Sequence, residues 1–123
     1  AGESGFCVLP PDGRRTMPID LPGVRYQLLN AQQLAPGHAG DVTMVLCTLQ
    51  PGCSSSGKMV SHLYTEVCFV IAGRIRALDN DYMRERACDV LLGPGDTIRV
   101  TPGVLHDFYN VGDAPAVVLA VTF

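Results

Sequence analysis

The chain has no tryptophan, one lysine (Lys58) and only three histidines, His38, His62 and His106, in 123 residues. Arginine makes up the remaining positive charge, but its positions are scattered and the formal net charge is −3. Nucleic acid is therefore not an expected partner, because that class needs clustered positive charge. No apolar run approaches the roughly 20 residues of a membrane span. No stretch has the basic, apolar and small-residue layout of a secretory leader. A Cys-x-x-Cys pair is also missing, and the five cysteines are odd in number. Cys47, Cys68 and Cys88 sit in or beside apolar runs, where cysteine behaves as a small hydrophobe. Reduced thiols and a cytoplasmic setting are expected, rather than a disulfide framework.

Helical periodicity is nearly absent, which leaves an all-β fold. The hydrophobic fraction, 47%, suits one folded domain with one core. Short Val, Ile, Leu, Thr, Phe and Tyr runs alternate with Pro-Gly, Asp-Asn-Asp and Gly-Pro-Gly-Asp punctuation, as in a sandwich or barrel. The pattern predicts strands near 24–30, 42–50, 58–63, 66–72, 74–79, 82–92, 96–101, 105–110 and 116–123, with a short helical turn at Gln32–Leu34. Residues 1–21, rich in Pro and Gly, read as an N-terminal arm lying over a single barrel domain of residues 22–123 or crossing to a partner subunit. Several strands are apolar on both faces: Val67, Phe69 and Ile71 oppose Cys68 and Val70. Such a strand fills a barrel on one side and meets another surface on the other, so a homodimer is expected.

The chemistry concentrates in two segments, His62-x3-Glu66-x6-Gly73 and Gly95-x6-Pro102-Gly103-x2-His106-x3-Asn110. Residues four apart on a straight strand lie roughly 13 Å apart. His62 and Glu66 therefore share a ligand only if Leu63-Tyr64-Thr65 bends and Glu66 opens the next strand. His106 likewise starts a strand after a Pro-Gly turn. Delivered into one interior, His62, Glu66 and His106 form a two-histidine, one-carboxylate face for a divalent metal, with open positions for water or substrate. The spacing does not distinguish Zn, Fe, Mn and Ni. Tyr64 is the spare proton donor beside Glu66 and His106 as catalytic candidates. By side-chain alternation, Val60, Cys68, Val70 and Phe108 line the pocket, with Met44 and Thr48 across it. The lining is mostly apolar and suits an aromatic or otherwise greasy small molecule. Asn110 reads as a hydrogen-bonding turn residue, His38 and Cys53 as loop residues, and Gly73, Gly95 and Gly103 as turn formers.

These segments resemble the two motifs of the cupin superfamily. The first, Gly-x5-His-x-His-x(3,4)-Glu-x6-Gly, falls on His62, Glu66 and Gly73; the second, Gly-x5-Pro-x-Gly-x2-His-x3-Asn, on Gly95, Gly103, His106 and Asn110. The chain departs at the leading glycine, which is Ser54, at the first histidine, which is Val60, and at the proline, which is Thr101 with Pro102 next. The resemblance implies a double-stranded β-helix, or jelly-roll barrel. With the apolar pocket, it further implies a metal-dependent enzyme like the small single-domain bacterial cupins of secondary metabolism, polyketide cyclases among them. There the metal acts as a Lewis acid in a cyclisation or isomerisation. A metal-dependent dioxygenase, a sensor-type ligand-binding cupin and an enzyme using Glu66 or His106 directly as a base are the alternatives.

Overall fold

Branched and aromatic residues broken every few positions by Gly, Pro, Asp and Asn favour extended backbone joined by tight turns. The computed structural model, which describes residues 8–29, 42–56, 63–81 and 86–123, has that architecture. After a 3-10 turn at Pro11–Gly13 come β1 (Arg15–Thr16), β2 (Val24–Leu28), β3 (Thr43–Leu49), β4 (Glu66–Ala72), β5 (Ile75–Asp81), β6 (Arg86–Leu92), β7 (Thr97–Val100), β8 (Leu105–Asn110) and β9 (Ala116–Thr122). They form two antiparallel sheets, one of six strands in the order β1-β2-β3-β9-β4-β7 and one of three in the order β6-β5-β8. The all-β jelly-roll expectation holds. The expected strand near 58–63, apart from Leu63 in the bend before β4, lies outside the described residues, as does the turn at Gln32–Leu34.

Leu49, Val70, Ile75 and Ala116 fill the space between the sheets with almost no exposure. Burying a side chain of the Leu or Ile kind stabilises the fold by about 1.5–3 kcal/mol. Strand β9 is central, paired with β3 along its whole length and with β4 on its other side. Gly73 makes the β4–β5 connection at φ +89°, where a Cβ would stand 2.7 Å from Cα and Cβ of Ala116. Asn110 is buried at the end of β8. Its Nδ2 donates to the carbonyls of Leu49 and Ala114, and its Oδ1 accepts from the Gly112 amide. One side chain thus ties β3 to the β8–β9 turn.

The segment before β2 joins the sheet. Arg15 and Thr16 pair with Leu28 and Gln27, and the Met17 amide donates to the Tyr26 carbonyl at 2.8 Å. Beyond it Met17, Ile19 and Leu21 are half-buried while Pro18 and Asp20 are exposed, the period-two pattern of extended chain lying on a surface. On the outer face of the large sheet, Leu46, Leu119 and Phe69 are register partners in one row. Phe69 and Ile71 remain 41% and 47% exposed there.

Candidate functional site

Glu66 is the first residue of β4 and is held on both sides, paired with Val100 of β7 and Thr122 of β9. The preceding chain bends at Leu63 and Tyr64, and Thr65 exchanges two backbone hydrogen bonds with Phe123. A bend in this segment is what sharing a ligand between His62 and Glu66 would require, and His62 itself lies outside the described residues. His106 enters from the opposite sheet. Gly103, at φ +82°, closes the turn in which the Val104 amide donates to the Thr101 carbonyl. The Val104 carbonyl then accepts from His106 Nδ1 at 2.9 Å. A carbonyl has no hydrogen to give, so Nδ1 carries a proton, and in the neutral form of the ring Nε2 is the acceptor nitrogen. The Pro-Gly turn that starts β8 therefore also sets the tautomer.

Nε2 of His106 faces Oε1 of Glu66 at 3.8 Å, with both side chains largely buried. This is too long for a hydrogen bond. It is just under twice the roughly 2.0–2.2 Å at which imidazole nitrogen and carboxylate oxygen ligate a metal such as zinc. A single divalent cation can reach both atoms at that spacing. Among the described residues no group of three or more His, Cys, Asp and Glu side chains is arranged to hold a metal. His62, the third expected ligand, lies outside the described residues, as does Val60 of the expected pocket.

Around the pair lies an interior cavity of about 110 Å³ whose walls include Tyr26, Cys47, Glu66, Cys68, His106 and Phe108. The Cys68 thiol donates to Glu66 Oε1 at 3.1 Å. Burial first, then the Glu66 charge, holds that thiol protonated well above the ordinary range. The Tyr26 hydroxyl donates to the Ser55 carbonyl; burial, then neighbouring Cys47, likewise raises the phenol far above its usual range. Burial pushes Cys47 from 9.0 up to about 11, with its hydrogen bond to Tyr26 working against the rise. The Phe108 ring packs beside the imidazole, centroids 5.7 Å apart. Asp107, next to His106 but on the other face of β8, is fully buried. Its Oδ1 accepts from Ser55 Oγ at 2.7 Å, Ser56 Oγ at 3.2 Å and the Phe108 amide at 2.8 Å, fixing the loop that walls the cavity.

Because Cys47 is held neutral in the fold, its contribution to stability is complete below about pH 9 and is lost as pH rises towards 11. Cys68 and Tyr26 are shifted in the same direction and add to the effect. Urea midpoints measured at pH 8 and pH 10.5 are expected to fall on the alkaline side, and less so in Cys47→Ala than in the parent chain. Parallel pH dependence in the two proteins would remove Cys47 as a source.

Three sequence expectations need correction. Tyr64 is 60% exposed on the bend before β4 and lines none of the cavities around Glu66 and His106; the cavity tyrosine is Tyr26. Val70 points inward but is packed solid in the core rather than lining the cavity. In β3 it is Val45, Cys47 and Leu49 that face inward, not Met44 and Thr48; Thr48 lies with Gly23, Val24 and Arg25 on another surface. Both faces of that strand are apolar, so composition does not set the phase, and a shift of one residue exchanges the faces. Cys68 and Phe108 do line the cavity. Cys53 Sγ contacts the Pro22 carbonyl at 3.5 Å, away from the site. Sequence reasoning misses Tyr26 and Cys47, although Val24, Tyr26 and Leu28 in phase on β2 are a readable signal. The Ser55–Asp107 contact, across 52 positions, leaves no local one.

A small antiparallel barrel with ionisable side chains delivered inward from strand ends is the class of protein these features define. The cupin domain model matches residues 45–122, and the chain belongs to the cupin family. No curated protein matches the chain. Among solved structures, the Drosophila melanogaster CENP-C cupin domain is similar at TM-score 0.77 and 16% identity, covering 98% of this chain and 84% of that one. A single-residue variant of Bacillus subtilis oxalate decarboxylase is similar at TM-score 0.74 and 19% identity, over 90% of this chain and 27% of the enzyme. Peruvianin-I, a cysteine peptidase from Thevetia peruviana latex, gives TM-score 0.76 and 21% identity, over 94% and 71%. At these identities the likeness speaks for the fold alone.

Proposed function

We propose that the chain is a metal-dependent cupin enzyme acting on an apolar or aromatic small molecule. The observation that carries the reading is the facing pair His106 Nε2 and Glu66 Oε1, 3.8 Å apart inside the barrel. His62 is the proposed third ligand. A divalent cation held there supplies Lewis-acid polarisation of a substrate oxygen. The chain's own residues do the rest. Val104 keeps the imidazole in its ligating tautomer, and the Cys68 thiol steadies the carboxylate. Phe108 and the aliphatic wall limit access of water. Tyr26, rather than exposed Tyr64, is the tyrosine proposed to face the substrate. A cyclisation or isomerisation of the polyketide-cyclase kind, in a bacterial cytoplasm, is the specific form of this proposal. B. subtilis oxalate decarboxylase has Mn(II) centres, which supports a metal in this kind of barrel.

Elemental analysis of protein purified without added metal, at pH 7.5 and after dialysis at pH 5, tests the reading. Histidine ligands must be neutral to bind, and their ordinary pKa is near 6.5, so metal is expected at the first pH and substantially lost at the second. Its absence at pH 7.5 would sink the metalloenzyme. The second reading, a non-catalytic ligand-binding cupin, is favoured by Val60 at the first motif histidine; metal bound without turnover of any candidate substrate would select it. The similar CENP-C structure, bound to CAL1, supports a binding role for a barrel of this shape.

The homodimer is proposed to form through the outer row Leu46–Leu119–Phe69. Phe69→Arg is expected to convert a dimer to monomer in light scattering. A parent chain that is monomeric from micromolar to millimolar concentration would remove the proposal.

A further inference from the structure

The cavity beside Glu66 and His106 measures about 110 Å³, less than the roughly 150 Å³ that accepts one benzene ring. An aromatic substrate therefore does not fit whole between those two side chains. A second cavity of about 410 Å³ adjoins it, with Tyr26, Ser55, Ser56, Glu66 and Ala120 in the walls of both. At about one ring per 150 Å³, that vestibule holds roughly two to three rings. Its outer wall is the chain before β2, where Met17, Ile19 and Leu21 line the space while Pro18 and Asp20 are exposed. The Met17 amide donates to the Tyr26 carbonyl, and Pro18 and Pro22 have no amide hydrogen to give. Beyond Met17 this strap lies on the barrel through its apolar side chains. The polar groups of the vestibule are largely occupied within the protein. The Tyr26 hydroxyl donates to the Ser55 carbonyl and shares a hydrogen bond with Cys47. Ser55 Oγ donates to Asp107 and accepts from the Phe108 amide, and Ser56 Oγ donates to Asp107. Glu66 accepts from the Cys68 thiol. Thr122, half-buried opposite Glu66 in the register of β9 and β4, is the remaining polar residue of the wall.

We infer that the vestibule seats the ring system of an uncharged ligand of two to three rings, clamped between the strap and the barrel. Only a small head group on those rings reaches the inner cavity beside Glu66 and His106. Walls whose polar groups already have partners select by volume and apolar contact rather than by one matching hydrogen bond. A charged ring system would lose its hydration against Met17, Ile19 and Leu21, which is costly. The bound rings add apolar contact to the three side chains that hold the strap down, so the strap is steadied by its ligand. This inference deepens the proposed function by giving the size class and the seat of the substrate; it rests on the barrel interior being a ligand site and not on the metal.

Fluorescence titration of the full chain, in chelator, with N-phenyl-1-naphthylamine, a neutral probe of three rings, tests it. Saturable binding at one site per chain is expected. Ile19→Asp, which puts a charge into the strap wall, is expected to weaken it about tenfold. Leu21→Trp, which keeps the wall apolar but fills the space, is expected to weaken it by a similar factor. Val90→Arg, on a partly exposed wall of a separate cavity of about 460 Å³, is expected to leave affinity within about twofold. Hydrogen exchange at the Ile19 and Leu21 amides is expected to slow about threefold or more at saturation. No saturable binding overturns the inference, as does binding lost in Val90→Arg but kept in both strap variants, or strap exchange unchanged by bound probe. Probe binding in a chain that holds no metal at pH 7.5 supports the vestibule and removes the metalloenzyme. Metal without probe binding removes the vestibule and leaves the metalloenzyme standing.

Discussion

His106→Ala will lower the affinity for a divalent metal by about a hundredfold or more, measured by competition with a chromogenic chelator. Changes in groups that merely orient a ligand cost metal sites about 10–100-fold, and this substitution removes a ligand outright. The imidazole is 5% exposed, held to the Val104 carbonyl at 2.9 Å and aimed at Glu66. Its loss leaves Glu66 as the one remaining proposed ligand among the described residues. Glu66→Gln, which keeps the shape and removes the charge, is expected to weaken binding by a similar order. Tyr64→Phe, on the exposed bend outside the cavity, is expected to leave affinity within about twofold, as exposed substitutions away from a site commonly do. Equal affinities in the parent, His106→Ala and Glu66→Gln would show that any bound metal sits elsewhere.

Gly73→Ala will destabilise the fold by about 3 kcal/mol, seen as a fall of roughly 10 °C in Tm. Two costs combine. The backbone at φ +89° lies where side chains are strained, at about 1 kcal/mol or more. The added methyl also stands 2.7 Å from Cα and Cβ of Ala116, a residue with no exposure and no room to retreat. Gly52→Ala separates the two. Its φ is similar, +80°, but a Cβ there meets nothing within 4 Å, so only the strain of about 1 kcal/mol is expected. If the two variants melt together, the close approach to Ala116 is relieved by movement of β9 and contributes little.

Much of the architecture is legible in the order of residues because turn chemistry is local. Pro102-Gly103, Gly95 and Gly73 each mark a backbone that side chains avoid, and each lies within a few residues of a strand boundary. Glu66 and His106 are legible for the same reason, as residues at the start of strands and at fixed distance from those turns. The walls of the cavity are harder to read. A strand apolar on both faces, such as β3, has no polar face to set its phase, so the pattern puts Met44 and Thr48 where Val45, Cys47 and Leu49 stand. Tyr64 is only two positions from Glu66, but it sits in the bend before β4 and is exposed. Ser55 belongs to the site through a contact with Tyr26, 29 positions away, which no local pattern reports.

Strand β9 has a consequence in time as well as in space. It lies between β3 and β4, yet its first residue, Ala116, follows the end of β3 at Leu49 and the start of β4 at Glu66 by several tens of positions. During synthesis, at about 5–20 residues per second, β3 and β4 therefore wait for seconds with bare edges and a bare apolar face. Non-local pairing of this kind is slow and exposes the chain to wrong partners. The partly synthesised chain, rather than the finished barrel, is where these strand edges are open to wrong pairing.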